Sequence, residues 1–251
     1  MSVSEKMTAI ADNIRAKTGG TERLTLDEMA EGIQEVFDVG RKSEYDRFWD
    51  AYQENGNRTH YGSAFCKGWT VDNFKPKYSI APVGQNGAGS MFNGCQVVGD
   101  LVTICEAQGI TIDFSKATYM EHVFYTSKFT RVGVVDVSKC DRNASTFAYA
   151  YNLKTIDKLV VSETTPFYGT FASCTALEDM VIEGAIGVNG LNLQWSTKLT
   201  RASIESIINA LSTKAVGLSV TLSKTAVNNA FTDTEWATLV NTRPNWTINL
   251  V

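Results

Sequence analysis

The sequence predicts an α+β protein: a short β-solenoid at 57–198, between an N-terminal helical segment at 1–56 and an α/β C-terminal cap at 199–251. Three observations predict it. A unit of about 23 residues recurs through the middle of the chain. Helix-capping signals with helical apolar spacing stand before it, and helix and strand patterns alternate after it.

In the N-terminal segment, Ser2 and Glu5 have the spacing of a capping box. Met7, Ile10, Ala11 and Ile14 follow on one helical face. Gly19-Gly20 ends that helix, because glycine accepts the left-handed C-terminal conformation without a Cβ penalty. Thr25 is the next N-cap, with Glu28 three residues on and Leu24 and Met29 placed as a hydrophobic staple. Met29, Ile33 and Val36 continue as a seam, which Arg41-Lys42-Ser43-Glu44 interrupts. Tyr45, Phe48, Trp49 and Tyr52 resume a stripe in another phase, and Asn55-Gly56-Asn57 stops it. Two arrangements fit: the helices pack within their own domain, or the seam Met29, Ile33, Val36 self-associates as in a coiled coil.

The middle of the chain repeats. Ser115 stands nine residues before Phe124, Ser138 nine before Phe147, and Ser162 nine before Phe171; the phenylalanines are 23 and 24 apart. Phe147-Ala-Tyr-Ala-Tyr-Asn-Leu153 aligns with Phe171-Ala-Ser-Cys-Thr-Ala-Leu177. β-rich runs follow at Val132 to Val137, Ile156 to Val161 and Met180 to Ile182. An earlier unit begins at Met91-Phe-Asn-Gly-Cys95 and carries an insertion near Glu106 to Gly109, since Phe92 lies 32 residues before Phe124. Each unit is expected to hold a short helical turn bearing the ring, then a short strand. Such a unit cannot bury both faces of its strand alone. Stacking is therefore expected to bring Phe124, Phe147 and Phe171 into one internal column while neighbouring strands pair. Cys95, Ser127, Ala150 and Cys174 all fall three residues after a ring, where a small side chain suits a tight inward turn. Cys95 and Cys174 are read as packing positions.

In the C-terminal segment, Thr200 is an N-cap between Leu199 and Ile204, and Ile204, Ile207, Ile208 and Leu211 have helical spacing. Leu218 to Leu222 alternates as a strand. Phe231, Thr232, Glu235 and Trp236 form a capping box with staple, Pro244 closes that helix, and Trp246 to Val251 alternates again. A helical unit that breaks the repeat suits the end of a stack, where an uncovered edge strand invites other chains.

Composition narrows the function. Net charge is −4 and no basic run occurs, which speaks against a nucleic-acid partner. No run of ~18 apolar residues suggests membrane insertion, and the first residues lack the pattern of a secretory signal. The five cysteines form no C-x-x-C pair and only two histidines are present, so neither a zinc site nor any other metal or cofactor is expected. No catalytic constellation stands out. His122 is read as an exposed or hydrogen-bonded turn residue, Asp113 and Asp136 as turn caps, and Gly84 to Gly89 as a flexible loop. Three glycosylation-type triplets, at Asn57, Asn143 and Asn245, carry little weight. Tyr119, Tyr125, Tyr149, Tyr151 and Tyr168 cluster around the ring-bearing turns. They are candidate ligand-facing aromatics, since tyrosine offers rigid amphipathic contact area; ordinary packing is the other reading.

The patterns Phe92-Asn-Gly-Cys95 and Phe171-Ala-Ser-Cys-Thr-Ala-Leu177 resemble the BspA-like leucine-rich repeat over about residues 90–185. Ser127 and Ala150 depart from it where the family has cysteine. This resemblance implies a leucine-rich-repeat-like solenoid and, as one function, a bacterial surface adhesin or interaction module. The stretch Ile10 to Ile33 is similar to the start of phage and prophage tail or minor structural proteins of gut Firmicutes. That resemblance implies a non-enzymatic virion protein of the tail-fibre or receptor-binding kind. Its partners would be other virion proteins and a host surface receptor, protein or glycan. It would form a homo-oligomer, with a trimer favoured in a fibre.

Overall fold

The computed structural model describes residues 3–18, 49–54, 66–72, 74–85 and 87–251. The chain divides into two compact units, Met1–Asp50 and Ala51–Val251. In the first, α1 (Val3–Thr18) forms where the capping and apolar spacing place it. Ala11 and Ile14 are buried but Ile10 is 39% exposed, so its inward stripe is narrower than the sequence pattern. The seam Met29, Ile33 and Val36, with the staple before it, lies outside the described residues. Residues 49–54 are helical, and Trp49 and Tyr52 are buried.

The second unit corrects the expected fold class. It is not an α+β solenoid closed by a separate cap. Its strands form two all-parallel sheets with helices between strands, an α/β arrangement. The first sheet runs in chain order through β1 (Gly99–Asp100), β2 (Phe129–Asp136), β3 (Thr155–Val160) and β4 (Asp179–Glu183). The second runs through β5 (Asn192–Leu193), β6 (Leu218–Leu222) and β7 (Trp246–Leu250). The connections explain the difference: parallel neighbours cannot share a tight hairpin, so each strand is followed by a crossover. Helix α2 (Leu101–Glu106) lies between β1 and β2, and α3 (Arg201–Ala210) between β5 and β6. Helices α4 (Lys224–Ala230) and α5 (Asp233–Val240) lie between β6 and β7. The alternating pattern read as a cap thus belongs to a second parallel sheet.

The repeat spacing sets the register of the first sheet. Val132, Ile156 and Met180 pair in a row, and so do Val135, Leu159 and Ile182. All six are buried. Beneath the crossovers, Phe92, Phe124, Phe147 and Phe171 form one column, each at most 1% exposed. Successive ring centroids are 5.3, 5.4 and 5.3 Å apart, at interplanar angles of 17°, 2° and 11°. That is the stacking range of aromatic pairs. The extra residues of the first unit form α2, capped by the Asp100 side chain, and a turn closing at Gly109.

The ring-bearing turns are not the helical turns expected from the sequence. The backbone is left-handed two residues before and two after each ring: Ser90 and Gly94, His122 and Thr126, Ser145 and Tyr149, Gly169 and Ser173. A left-handed residue on each side prevents helix propagation. It also turns amide groups toward the next repeat. Ser145, Phe147 and Tyr149 donate to the carbonyls of Tyr168, Thr170 and Ala172 at 3.0, 2.9 and 2.7 Å. The preceding turn repeats this, with His122, Phe124 and Thr126 donating to Ala144, Thr146 and Ala148. Buried hydroxyls reinforce the ladder: Thr146 donates to the Met120 carbonyl at 2.7 Å and Thr170 to the Asn143 carbonyl at 2.9 Å.

Helix α3 covers the outer edge of β4. The Met180 and Ile182 amides donate to the Ser203 and Ser206 hydroxyls at 2.9 and 2.8 Å. Ser203 in turn donates to the Glu178 carbonyl at 3.1 Å. Two serines one helical turn apart thus satisfy an edge that would otherwise recruit another strand.

Candidate functional site

The ladder of turns holds an outward row of rings. His122 and Tyr125 lie 5.1 Å apart, Tyr125 and Tyr149 5.4 Å, and Tyr149 and Tyr151 6.1 Å, each pair steeply inclined. Tyr149 is itself one of the left-handed residues, and its amide is bonded to the next turn, so the backbone that carries its ring is held on both counts. Tyr125 is half-buried, Tyr149 38% exposed and Tyr151 55% exposed. Three of the tyrosines proposed from the sequence are therefore brought together.

Tyr119 is a correction. It is buried, its hydroxyl donates to Glu121 at 2.5 Å, and its ring fills the space where a side chain on Gly89 would sit, 2.6 Å from that Cβ position. It packs the turn and is not one of the exposed rings. The same contact corrects the loop at Gly84 to Gly89. Gly84 donates to the Lys116 carbonyl and accepts from Thr118, so the segment is tied to its neighbour. The oligomer seam proposed at Met29, Ile33 and Val36 falls outside the described residues.

Tyr168 stands apart from the row, 82% exposed. It lines a cleft of about 320 Å³ with Ala172, Asn192, Gln194, Trp195 and Thr221. The Ala172 carbonyl accepts from the Tyr149 amide, so the cleft adjoins the turn that ends the row. Trp195, 52% exposed, was not singled out from the sequence because it lies beyond the repeat. Alternation offered a partial signal: Leu191 and Leu193 point inward, leaving Asn192 and Gln194 toward solvent.

Charge gathers elsewhere, on the first sheet. Arg131 bridges Asp157 in bidentate fashion at 2.7 and 2.6 Å and Asp100 at 2.6 Å, tying three successive strands. Burial alone would raise the Asp100 carboxyl, but hydrogen bonds from Arg131 and Thr103 hold it below the ordinary range. All five thiols are buried. Burial pushes Cys95 up to about 11 and Cys174 up to about 12, and each sulfur donates to a backbone carbonyl. Such thiols stay protonated and pack, as their place after the rings suggests. Asn143 is fully buried and donates to the Pro166 carbonyl, so its triplet is closed to glycosylation.

Comparison with family models, curated proteins and solved structures returned no match to this chain.

Proposed function

We propose that this chain is a phage or prophage virion structural protein of the tail-fibre or receptor-binding kind, acting by binding and not by catalysis. One observation carries the reading: the inclined row Tyr125, Tyr149, Tyr151, held outward on turns whose amides are bonded to one another. Rings fixed in this way lose little conformational freedom when they contact a surface. Loops placed on a hydrogen-bonded scaffold are a common site of recognition. The N-terminal resemblance supports the virion setting. In this reading the helical segment joins other virion proteins and the turn face meets a host receptor. Mass spectrometry of purified particles is the test. Peptides of this chain should co-purify with tail components, and their absence from intact particles ends the reading.

A further inference from the structure

We infer that the cleft between Tyr168 and Trp195 is a subsite for a neutral saccharide. This deepens the receptor-binding reading and rests on it for its biological setting. Its volume of about 320 Å³ lies at the lower end of small-ligand pockets. Two large rings line it, both exposed more than half, with no partner ring among the described residues. A sugar presents weakly apolar C–H faces that lie against such rings, and a rim of hydroxyls that each need a donor or an acceptor.

The remaining lining supplies both. Asn192 and Gln194 carry side-chain amides, and Ser219 and Thr221 carry hydroxyls. An amide offers two donors and one acceptor on neighbouring atoms, which suits adjacent hydroxyls. The Asn192 side-chain oxygen accepts from the Gln194 backbone N–H at 3.0 Å, which fixes its orientation. Among the described residues, the Asn192 amide nitrogen, the Gln194 side chain, the Thr221 hydroxyl and the Trp195 indole N–H make no hydrogen bond within the protein. Several groups able to pair with a hydroxylated ligand thus converge on one cavity.

The lining also selects by what it lacks. Among the described residues, none that lines the cleft is charged, so the lining neutralises no phosphate or carboxylate and attracts no cation. Gly169 and Gly190, both with left-handed backbones, complete the lining. The walls are rigid: Asn192 pairs with Thr221 across β5 and β6, and the Ser219 amide donates to Asn189 at 2.8 Å.

The test uses the full chain, with galactose, glucose, rhamnose, N-acetylglucosamine and their disaccharides as probes. Saturation-transfer NMR detects binding and calorimetry measures it. At least one neutral saccharide should bind, and Trp195→Ala and Tyr168→Ala should each weaken it by about tenfold or more. Trp195→Phe should retain part of the affinity, and Val98→Ala, an exposed residue outside the cleft, all of it. The two key side chains are exposed, so their removal takes nothing from the core, and a thermal melt on each variant checks folding. If Trp195→Ala melts early, Tyr168→Ala and Trp195→Phe carry the comparison. No neutral saccharide bound at millimolar concentration, binding confined to anionic sugars, or unchanged affinity in Tyr168→Ala and Trp195→Phe would overturn the inference. Particle mass spectrometry separates the two ideas. Saccharide binding by a chain absent from particles removes the virion setting alone, and a virion chain that binds none removes the cleft alone.

Discussion

The two sheets of the second unit connect parallel strands in different ways. In the first, residues paired from β2 to β4 recur every 23 or 24 positions, as Val132, Ile156 and Met180 do. The crossover there is a turn holding one ring between two left-handed residues. In the second, Leu193, Leu222 and Leu250 lie side by side at wider spacing, and helices fill the crossovers. Each of those helices carries its own N-cap, Thr200, Ser223 or Thr232. The ring-bearing turn closes locally only through short main-chain bonds, such as Ala150 to the Phe147 carbonyl. Its ring is buried by the rings on either side and its amides are satisfied by the next turn. Stability is therefore collective in the first sheet and local in the second.

The largest effect should come from the middle of the column. Phe147 has a ring on each side, so Phe147→Ala opens a cavity that neither neighbour can fill and should cost about 3–5 kcal/mol in urea unfolding. Thr232→Ala, which removes only a cap, should cost about 1 kcal/mol. Equal losses for the two would break the contrast between collective and local support.

Ser203 joins helix α3 to the first sheet. Its hydroxyl accepts from Met180 and donates to Glu178, both in or beside β4. Ser203→Ala leaves a buried amide without a partner and should cost about 1–3 kcal/mol. It also uncovers part of the β4 edge, so light scattering should show self-association on mild heating. A variant that melts like the parent and stays monodisperse would show that α3 does not guard this edge.

These effects trace what the sequence can display. The ring column and the buried apolar rows were legible because inward positions recur at nearly fixed spacing. The caps at Thr200 and Thr232 were legible because their chemistry spans four residues. The second parallel sheet was not, since the alternation at Leu218 to Leu222 and Trp246 to Val251 does not say which strands it pairs with, and the segment was read as a cap. β1 and β5, two residues each, are too short to show a pattern. The left-handed positions were hidden because six of the eight are not glycine. Among the site residues, Tyr125, Tyr149 and Tyr151 were found through the repeat. Tyr119 was misassigned, because its phase relative to the ring points it at Gly89. Trp195 was missed because it belongs to no repeat.

The left-handed turns allow a subtler test. A residue with a Cβ in this conformation is strained by ~1–2 kcal/mol, and glycine there loses ~0.5–1 kcal/mol to the flexibility of the unfolded chain. Ser145→Gly should therefore be neutral or stabilise by up to about 1 kcal/mol in urea unfolding. Ser145→Val should destabilise, because a branched side chain fits this backbone poorly. Equal stability of the glycine and valine variants would mean that the turn is not left-handed in solution.

The smallest effect separates the regions by pH. Glu235 sits third in α5 and closes its capping box. The Thr232 backbone amide donates to it first of all, with Arg201 and the Thr232 hydroxyl adding, and together they hold its carboxyl at about 2 instead of the ordinary 4.5. A carboxyl lowered by folding contributes fully above its unfolded value and loses that contribution as pH falls through its folded value. Between pH 4.5 and 2, α5 should thus fray at its first turn, seen as faster amide exchange at Glu235 and Trp236. The stacked rings hold no titratable group, and the Phe147 turn, Ser145 to Tyr149, holds no carboxyl or imidazole, so exchange at Phe147 should stay slow across the same window. Arg201→Ala should raise the Glu235 midpoint by part of the shift, since the Thr232 bonds remain; the ion pair is exposed and added salt should act in the same direction. A Glu235 side chain titrating near 4.5 in the folded protein would mean that the helix is not closed by its own cap, and local support would lose its clearest case.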